Sequence, residues 1–236
     1  MQDRYTGDIG DYFKYGLLRR LSHGRSLGVL WYLFPNEDHN ADGGHVGYLN
    51  DPERWRDLDP ELFDILKSMV HQKHRNIASI AHFGALGNAR FSYERLDASL
   101  LPSTKKADWR KSWFRNAHAY LSDCDIVFAD PDNGLCADDT FKPGQVKFWK
   151  RIPVSEAQTL AYNRTAIIYH HNTHRKGGHR REIEDWMAKL GAGTIALRWR
   201  AHNNRSFFIL NPTKKIQTEA KKFASEWGSK AEFYPL

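Results

Sequence analysis

The residues best suited by type and spacing to do chemistry stand in the string Asp130-Pro131-Asp132-Asn133-Gly134, directly after the apolar run Ile126-Val127-Phe128-Ala129. Pro131 fixes its own φ and biases Asp130 toward an extended conformation, so a carboxylate is held at a strand tip. Such a carboxylate can accept a hydrogen bond from an amine or bind a metal. Every residue of the string is also a strong turn former, so a plain turn is the competing reading. A second cluster, His170-His171-Asn172-Thr173-His174 with His179 further on, follows the apolar run at residues 165–169 and lies close to Arg175 and Lys176. These histidines can ligate a metal with Asp130 or Asp132, which suits hydrolysis, although the spacing fits no established zinc signature. They can equally bind phosphate or cap the helix that follows. A third candidate is Asp42-Gly43-Gly44-His45, in a loop that also carries Glu37, Asp38 and His39. Its glycines would let the backbone approach a nucleoside, with a carboxylate taking a ribose hydroxyl. It lacks G-x-G-x-x-G and also reads as an ordinary loop.

Nucleophilic and Walker-type chemistry find no support. There is no G-x-S-x-G and no P-loop, and Cys136 lies beside acids that raise a thiol pKa.

The elements that must position these residues follow from apolar periodicity. Residues 9–21 read as a helix N-capped by Asp8, and residues 27–34 (LGVLWYLF) as a strand buried on both faces. A polar, glycine-rich loop fills 36–59, helices follow at 60–71 and 75–83, and 89–93 is a weak strand candidate. Residues 108–121 read as a helix with Trp109, Trp113, Ala117 and Tyr120 on one packed face. Strands at 125–129, 165–169, 194–200 and 205–210, a helix at 178–190 and a basic terminal helix complete the chain. Strands of the buried type alternating with helices predict a single α/β domain over residues 1–236, Rossmann-like, with a mostly parallel sheet flanked by helices. Ligands of such sheets sit at the carboxyl ends of the strands. The loops after 27–34, 125–129 and 165–169 should therefore converge on one crevice.

Eight Trp, ten Tyr and thirteen Phe in 236 residues are too many for a disordered polymer, so the chain should bury a core. Lys and Arg outnumber Asp and Glu by 35 to 28, a net +7 that suits a phosphate-rich partner such as nucleic acid or a nucleotide. Two cysteines, Cys124 and Cys136, make no disulfide framework and fit a reducing compartment. The N-terminus has no apolar leader and no run approaches the length of a membrane span, so a cytoplasmic setting without membrane contact is expected.

Taken in order, several short stretches resemble the RlmJ-type family, the SAM-dependent adenine-N6 methyltransferases of large-subunit ribosomal RNA. Gly7-Asp8-Ile9-Gly10-Asp11-Tyr12-Phe13-Lys14-Tyr15 resembles that family's helix G-N-x-A-D-V-x-K-H at the glycine, the second acid and the lysine. Leu96-Asp97 with Leu100-Leu101-Pro102 resembles the acidic position and L-P-P before its catalytic strand. Residues 126–131 resemble the strand entering its D-P-P-Y tetrad, and residues 206–212 (SFFILNP) its closing strand.

The resemblance implies a SAM-methyltransferase-like sheet and a nucleic-acid substrate, RNA before DNA. Asp130 would accept a hydrogen bond from the target amine, with Pro131, Asp132 and Asn133 around it and His170 and His171 near the substrate phosphate. Lys14, Tyr15, Glu37, Asp38, Asp42 and Asp97 would line the site of S-adenosylmethionine, and no metal would be needed. The sequence departs from the family where the stacking aromatic of the tetrad is Asn133, the second proline is Asp132, and the glycine-rich loop is Phe34-Pro35-Asn36-Glu37-Asp38. Tyr169 or Trp199 would then have to supply the stack. Two other readings compete. One is a metal-dependent nuclease or phosphoesterase with a divalent metal on Asp130, Asp132, His170, His171 and His174. The other is a non-catalytic nucleic-acid binder using Lys105-Lys106, Arg175-Lys176, Arg180-Arg181 and Lys214-Lys215. Because Asp130 would sit at a strand tip, its replacement by alanine is expected to spare folding.

Overall fold

The computed structural model describes residues 3–34, 44–98, 100–174, 176–201 and 204–235, with backbone alone for Arg4. Its strands are β1 (Leu27–Trp31), β2 (Arg90–Ser92), β3 (Ile126–Asp130), β4 (Leu135–Cys136), β5 (Ile152–Pro153), β6 (Thr165–His171), β7 (Ile195–Trp199), β8 (Arg205–Leu210) and β9 (Ala231–Tyr234). Its helices are α1 (Ile9–Ser22), α2 (Pro52–Trp55), α3 (Pro60–His71), α4 (Ile77–His82), α5 (Ser103–Tyr120), α6 (Val154–Leu160), α7 (Gly178–Leu190) and α8 (Lys214–Trp227).

Seven strands form one sheet in the order β2-β1-β3-β6-β8-β7-β9. The first four run parallel, β8 is antiparallel to both β6 and β7, and β9 is antiparallel to β7. Most strands thus point the same way, and helices cover both faces. Alternate residues of one strand feed opposite layers of the core. Val29, Trp31, Phe128 and Ile167 pack with α1, α3 and α8, while Leu30, Val127, Ala129 and Ile168 pack with α5, α6 and α7. Burial on both sides is why these strands read as continuous apolar runs.

Helix α1 begins where the Asp8 carboxylate accepts the Asp11 N–H at 2.8 Å, satisfying one of the donors a helix start leaves open. Its Phe13 meets Trp199, Phe207, Phe223 and Trp227 at ring-centroid distances of 4.8, 5.5, 5.3 and 5.0 Å. Burying that ring is worth about 2–3 kcal/mol and fixes α1 across the sheet. Helix α5 starts earlier than its apolar periodicity indicates, because its first turns are polar. On it Trp113 and Ala117 are buried as expected, but Tyr120 is 55% exposed. No helix among the described residues is long and apolar enough to cross a membrane.

Candidate functional site

From β1 the chain moves to β2 on one side and returns as β3 on the other, so the gap between β1 and β3 is a topological switch point. Ligands of open α/β sheets bind outside the carboxyl ends of the strands at such a point. Trp31 and Asp130 pair in register there, at the last position of each strand. The strands whose loops were expected to converge end on one side, since β1, β3 and β6 are parallel neighbours, while residues 35–43 of the loop after β1 lie outside the described residues.

Asp130 is not an open strand tip. It is 3% exposed, and its Oδ2 receives the Lys14 ammonium at 2.9 Å. The same ammonium lies 2.7 Å from Asp11 Oδ1, and the rings of Tyr15 and Trp31 wall it at 5.0 and 5.5 Å. Asp11 Oδ2 in turn accepts the Gly7 N–H and the Tyr15 hydroxyl, each at 3.0 Å. Burial alone would lower the Lys14 pKa, but the two carboxylates outweigh it and the ammonium is held charged. Burial pushes Asp11 upward, with Asp8 and Asp130 adding to the rise and Lys14 opposing it. The expectation that Asp130 can be truncated without cost to folding rested on an open strand tip, whereas the side chain is buried and is one of two carboxylates that pair with Lys14, so its removal leaves that buried ammonium with Asp11 alone.

The turn after Asp130 is tied down by its neighbours. Gly134 has φ +72°, and a Cβ there would lie 2.4 Å from His170 Nδ1 and 2.8 Å from the His170 Cα. Only glycine lets the turn settle onto β6. The Asn133 N–H donates to the Lys150 carbonyl at 2.8 Å, and the Ile152 N–H to the Gly134 carbonyl at 3.0 Å, which starts the small β4–β5 ladder. Asp132 is half-buried, 3.8 Å from Lys150 Nζ, and that ammonium stands 4.7 Å over the Phe34 ring. Pro131 is buried, while Asn133 is exposed where the resembled tetrad has its aromatic.

His170 is buried, with both ring nitrogens engaged. Nδ1 accepts the Leu135 N–H at 3.0 Å, and Nε2 faces Glu182 Oε1 at 3.3 Å. Burial holds its pKa below the ordinary histidine value. Glu182, which the sequence did not flag, is the hub of this end of β6: it accepts from the Thr173 hydroxyl at 2.8 Å and the Thr173 N–H at 3.0 Å. Burial would raise its carboxyl, yet these bonds and His170 hold it down at about 2. His171 and His174 are exposed. Among the described residues no group of three or more His, Cys, Asp and Glu side chains is arranged to hold a metal ion.

The remaining candidates divide. Lys14 and Tyr15 join Asp130 in the buried cluster. Asp97 is exposed next to Leu96, whose N–H donates to the Leu33 carbonyl just past β1 at 2.8 Å. Glu37, Asp38 and Asp42 lie outside the described residues. Tyr169 and Trp199 are packed in the core at 9% and 1% exposure, so neither offers a free face for a base. Both cysteines are free and buried, and burial lifts Cys136 to about 12, which removes it as a nucleophile.

Two arginines, one buried and one half-buried, were also not anticipated. Arg110, fully buried, makes a two-pronged pair with Glu156 at 2.9 and 2.7 Å inside a cage of Tyr32, Trp113, Phe114 and Phe141. Arg205 reaches Asp8 at 3.3 Å beside the start of α1. No protein-family model matches the chain, and no curated protein matches it.

Proposed function

We propose that this chain is a SAM-dependent methyltransferase acting on an exocyclic amine of a nucleobase in nucleic acid, RNA before DNA. The observation that carries the reading is the position of Asp130: a carboxylate at the carboxyl end of the central strand, at the switch point, clamped by a lysine from α1. The sequence likeness at Gly7 to Tyr15 and at residues 126–131 falls on the two segments whose side chains meet in that clamp, 116 residues apart. An antiparallel strand set between two that follow the parallel direction, as β8 is, also suits the methyltransferase-like form of the sheet.

The cluster fits a cationic donor. Two buried carboxylates, Asp11 and Asp130, share the single Lys14 ammonium, which leaves the cluster with an excess of negative charge. SAM supplies the electrophilic methyl group. The protein's part is alignment: Lys14 fixes Asp130 Oδ2, and the carboxylate accepts a hydrogen bond from the amine and turns its lone pair toward the methyl carbon. Asp97, beside the loop after β1, would take ribose hydroxyls. A cytoplasmic setting accords with two free buried cysteines. The phosphoesterase reading has less support, because Asp130 is engaged by Lys14 and both nitrogens of His170 are engaged by Leu135 and Glu182.

Calorimetric titration of the metal-stripped protein with SAM tests the reading. Binding should be seen in the wild type and persist in Asp130→Asn, while methyl transfer to RNA falls about 100-fold or more in that variant. A wild type that binds neither SAM nor its demethylated product overturns it.

A further inference from the structure

We infer that the rim formed by the carboxyl end of β6, the start of β8 and the end of β7 is a polynucleotide-binding surface with Arg205 as its central phosphate contact. The choice of substrate rests on the proposed reading of Asp130; the surface itself does not. A guanidinium carries five N–H donors in a rigid fork. Among the described residues that of Arg205 makes a single hydrogen bond, to Asp8 at 3.3 Å, and its buried Nε has no partner. The side chain is only 12% exposed, so water replaces little of what is missing. A guanidinium so short of partners is costly to hold here, and an incoming oxyanion at its exposed edge would supply one.

Helix α1 is shaped around this group. A Cβ on Gly10 would fall 1.6 Å from Arg205 Nη1 and 2.5 Å from Cζ, so the guanidinium lies where any other residue's side chain would begin. The first turn keeps a glycine despite its poor helix propensity. Arg205 stands opposite His171 of β6 and Trp199 of β7, on the same side of the sheet. It is two strands from Asp130 in the order β3-β6-β8 and two residues further along them, about 12 Å at the usual strand spacing and rise. That offset resembles the reach of one nucleotide from base edge to phosphate, and it lies away from β1 and β2, where the methyl donor is placed.

Further cations lie on the segments that follow β6 and β7 and precede β9. Beyond β7, exposed Arg200 donates its N–H to the Lys230 carbonyl, and the Lys230 ammonium stands 5.2 Å over the Trp55 ring. Beyond β6, Lys176 is exposed before α7. A small carboxylate ligand would use Arg205 alone, whereas several cations about one rim suit successive phosphates. The Lys214-Lys215 pair, attractive in the sequence, opens α8 after the far end of β8 and so lies at the opposite end of the sheet from Asp130.

The experiment is fluorescence anisotropy of the full chain with a short labelled single-stranded RNA, and with DNA of the same sequence, between 50 and 200 mM salt. The variants are Arg205→Lys, the triple Lys176→Gln, Arg200→Gln, Lys230→Gln, and the pair Lys214→Gln, Lys215→Gln. The triple should flatten the slope of log affinity on log salt by about 2, at about 0.7 per phosphate lost. Arg205→Lys should weaken binding while keeping the charge, and the Lys214, Lys215 pair should behave as wild type. Equal losses from the triple and the α8 pair, or no binding of either polymer by the wild type, overturn the inference. SAM binding without polynucleotide binding would sink this surface alone. Polynucleotide binding without SAM binding would support the surface and sink the methyl-transfer reading.

Discussion

Replacing Lys14 by methionine keeps most of the side chain's volume and removes its charge, leaving Asp11 and Asp130 as buried carboxylates, each without its ammonium 2.7 and 2.9 Å away. Loss of one partner from a buried ion pair costs about 3–5 kcal/mol, a large share of the 5–15 kcal/mol by which a domain is stable. At about 2.5 kcal/mol per molar of urea, the unfolding midpoint at pH 7 should fall by roughly 1.5 M. The deficit must depend on pH in a fixed sense. Burial already raises Asp11 above the ordinary carboxylate range in the wild type. Without Lys14, which opposes that rise, the Asp11 carboxyl of the folded state goes further up. A group whose folded pKa is raised binds more protons folded than unfolded, so the variant gains on the wild type as pH falls from 7 toward about 4. Asp11→Asn added to Lys14→Met should recover part of the loss at pH 7 and little at pH 4.5. Urea melts of the three proteins at both pH values decide the matter. A deficit of equal size at pH 7 and pH 4.5 would mean that Lys14 contributes packing only, and the charge account of the clamp would be wrong.

Gly134→Ala should lose more than about 3 kcal/mol, combining a left-handed backbone with a backbone clash against β6, and the melting temperature should drop by roughly 10 °C; a drop within a few degrees would show that the turn can move away from His170. Arg110→Met alone should cost about 3–5 kcal/mol by stranding Glu156, and Arg110→Met with Glu156→Leu should recover most of it, since a well-packed apolar pair replaces a buried ion pair at little cost; a double variant no more stable than the single one refutes this in a chemical melt.

The strands at the centre of the sheet were legible because burial on both faces writes an unbroken apolar run, as at Leu27–Trp31 and Ile126–Asp130. Helix α6 has seven residues, too few for an apolar period to declare itself, and the half-buried β9 follows directly on a helix and a short turn, so neither stood out. Asp130 was visible through its proline and its strand, but its state was not. The lysine that holds it is 116 residues away, and nothing local distinguishes an ion-paired carboxylate from a free one. Glu182 reads as a solvent-facing charge on an amphipathic helix; it is buried because Asn172, Thr173 and His170 give it donors at the end of β6. Arg205 opens a strand like many edge cations, and its only sequence trace is a glycine in the first turn of α1.

The bonds around Asp130 also bear on the order in which the chain folds. Lys14 meets Asp130 across 116 residues, and Leu135 meets His170 across 35. Contacts this distant in sequence form late, since closing long loops costs entropy before any contact rewards it. The turn at Gly134 cannot take its final shape until β6 is in place beneath it. A nascent chain that ends before β6 therefore carries every residue of the Asp130 loop without its final geometry, and the turn is set only when the second half of the sheet has docked.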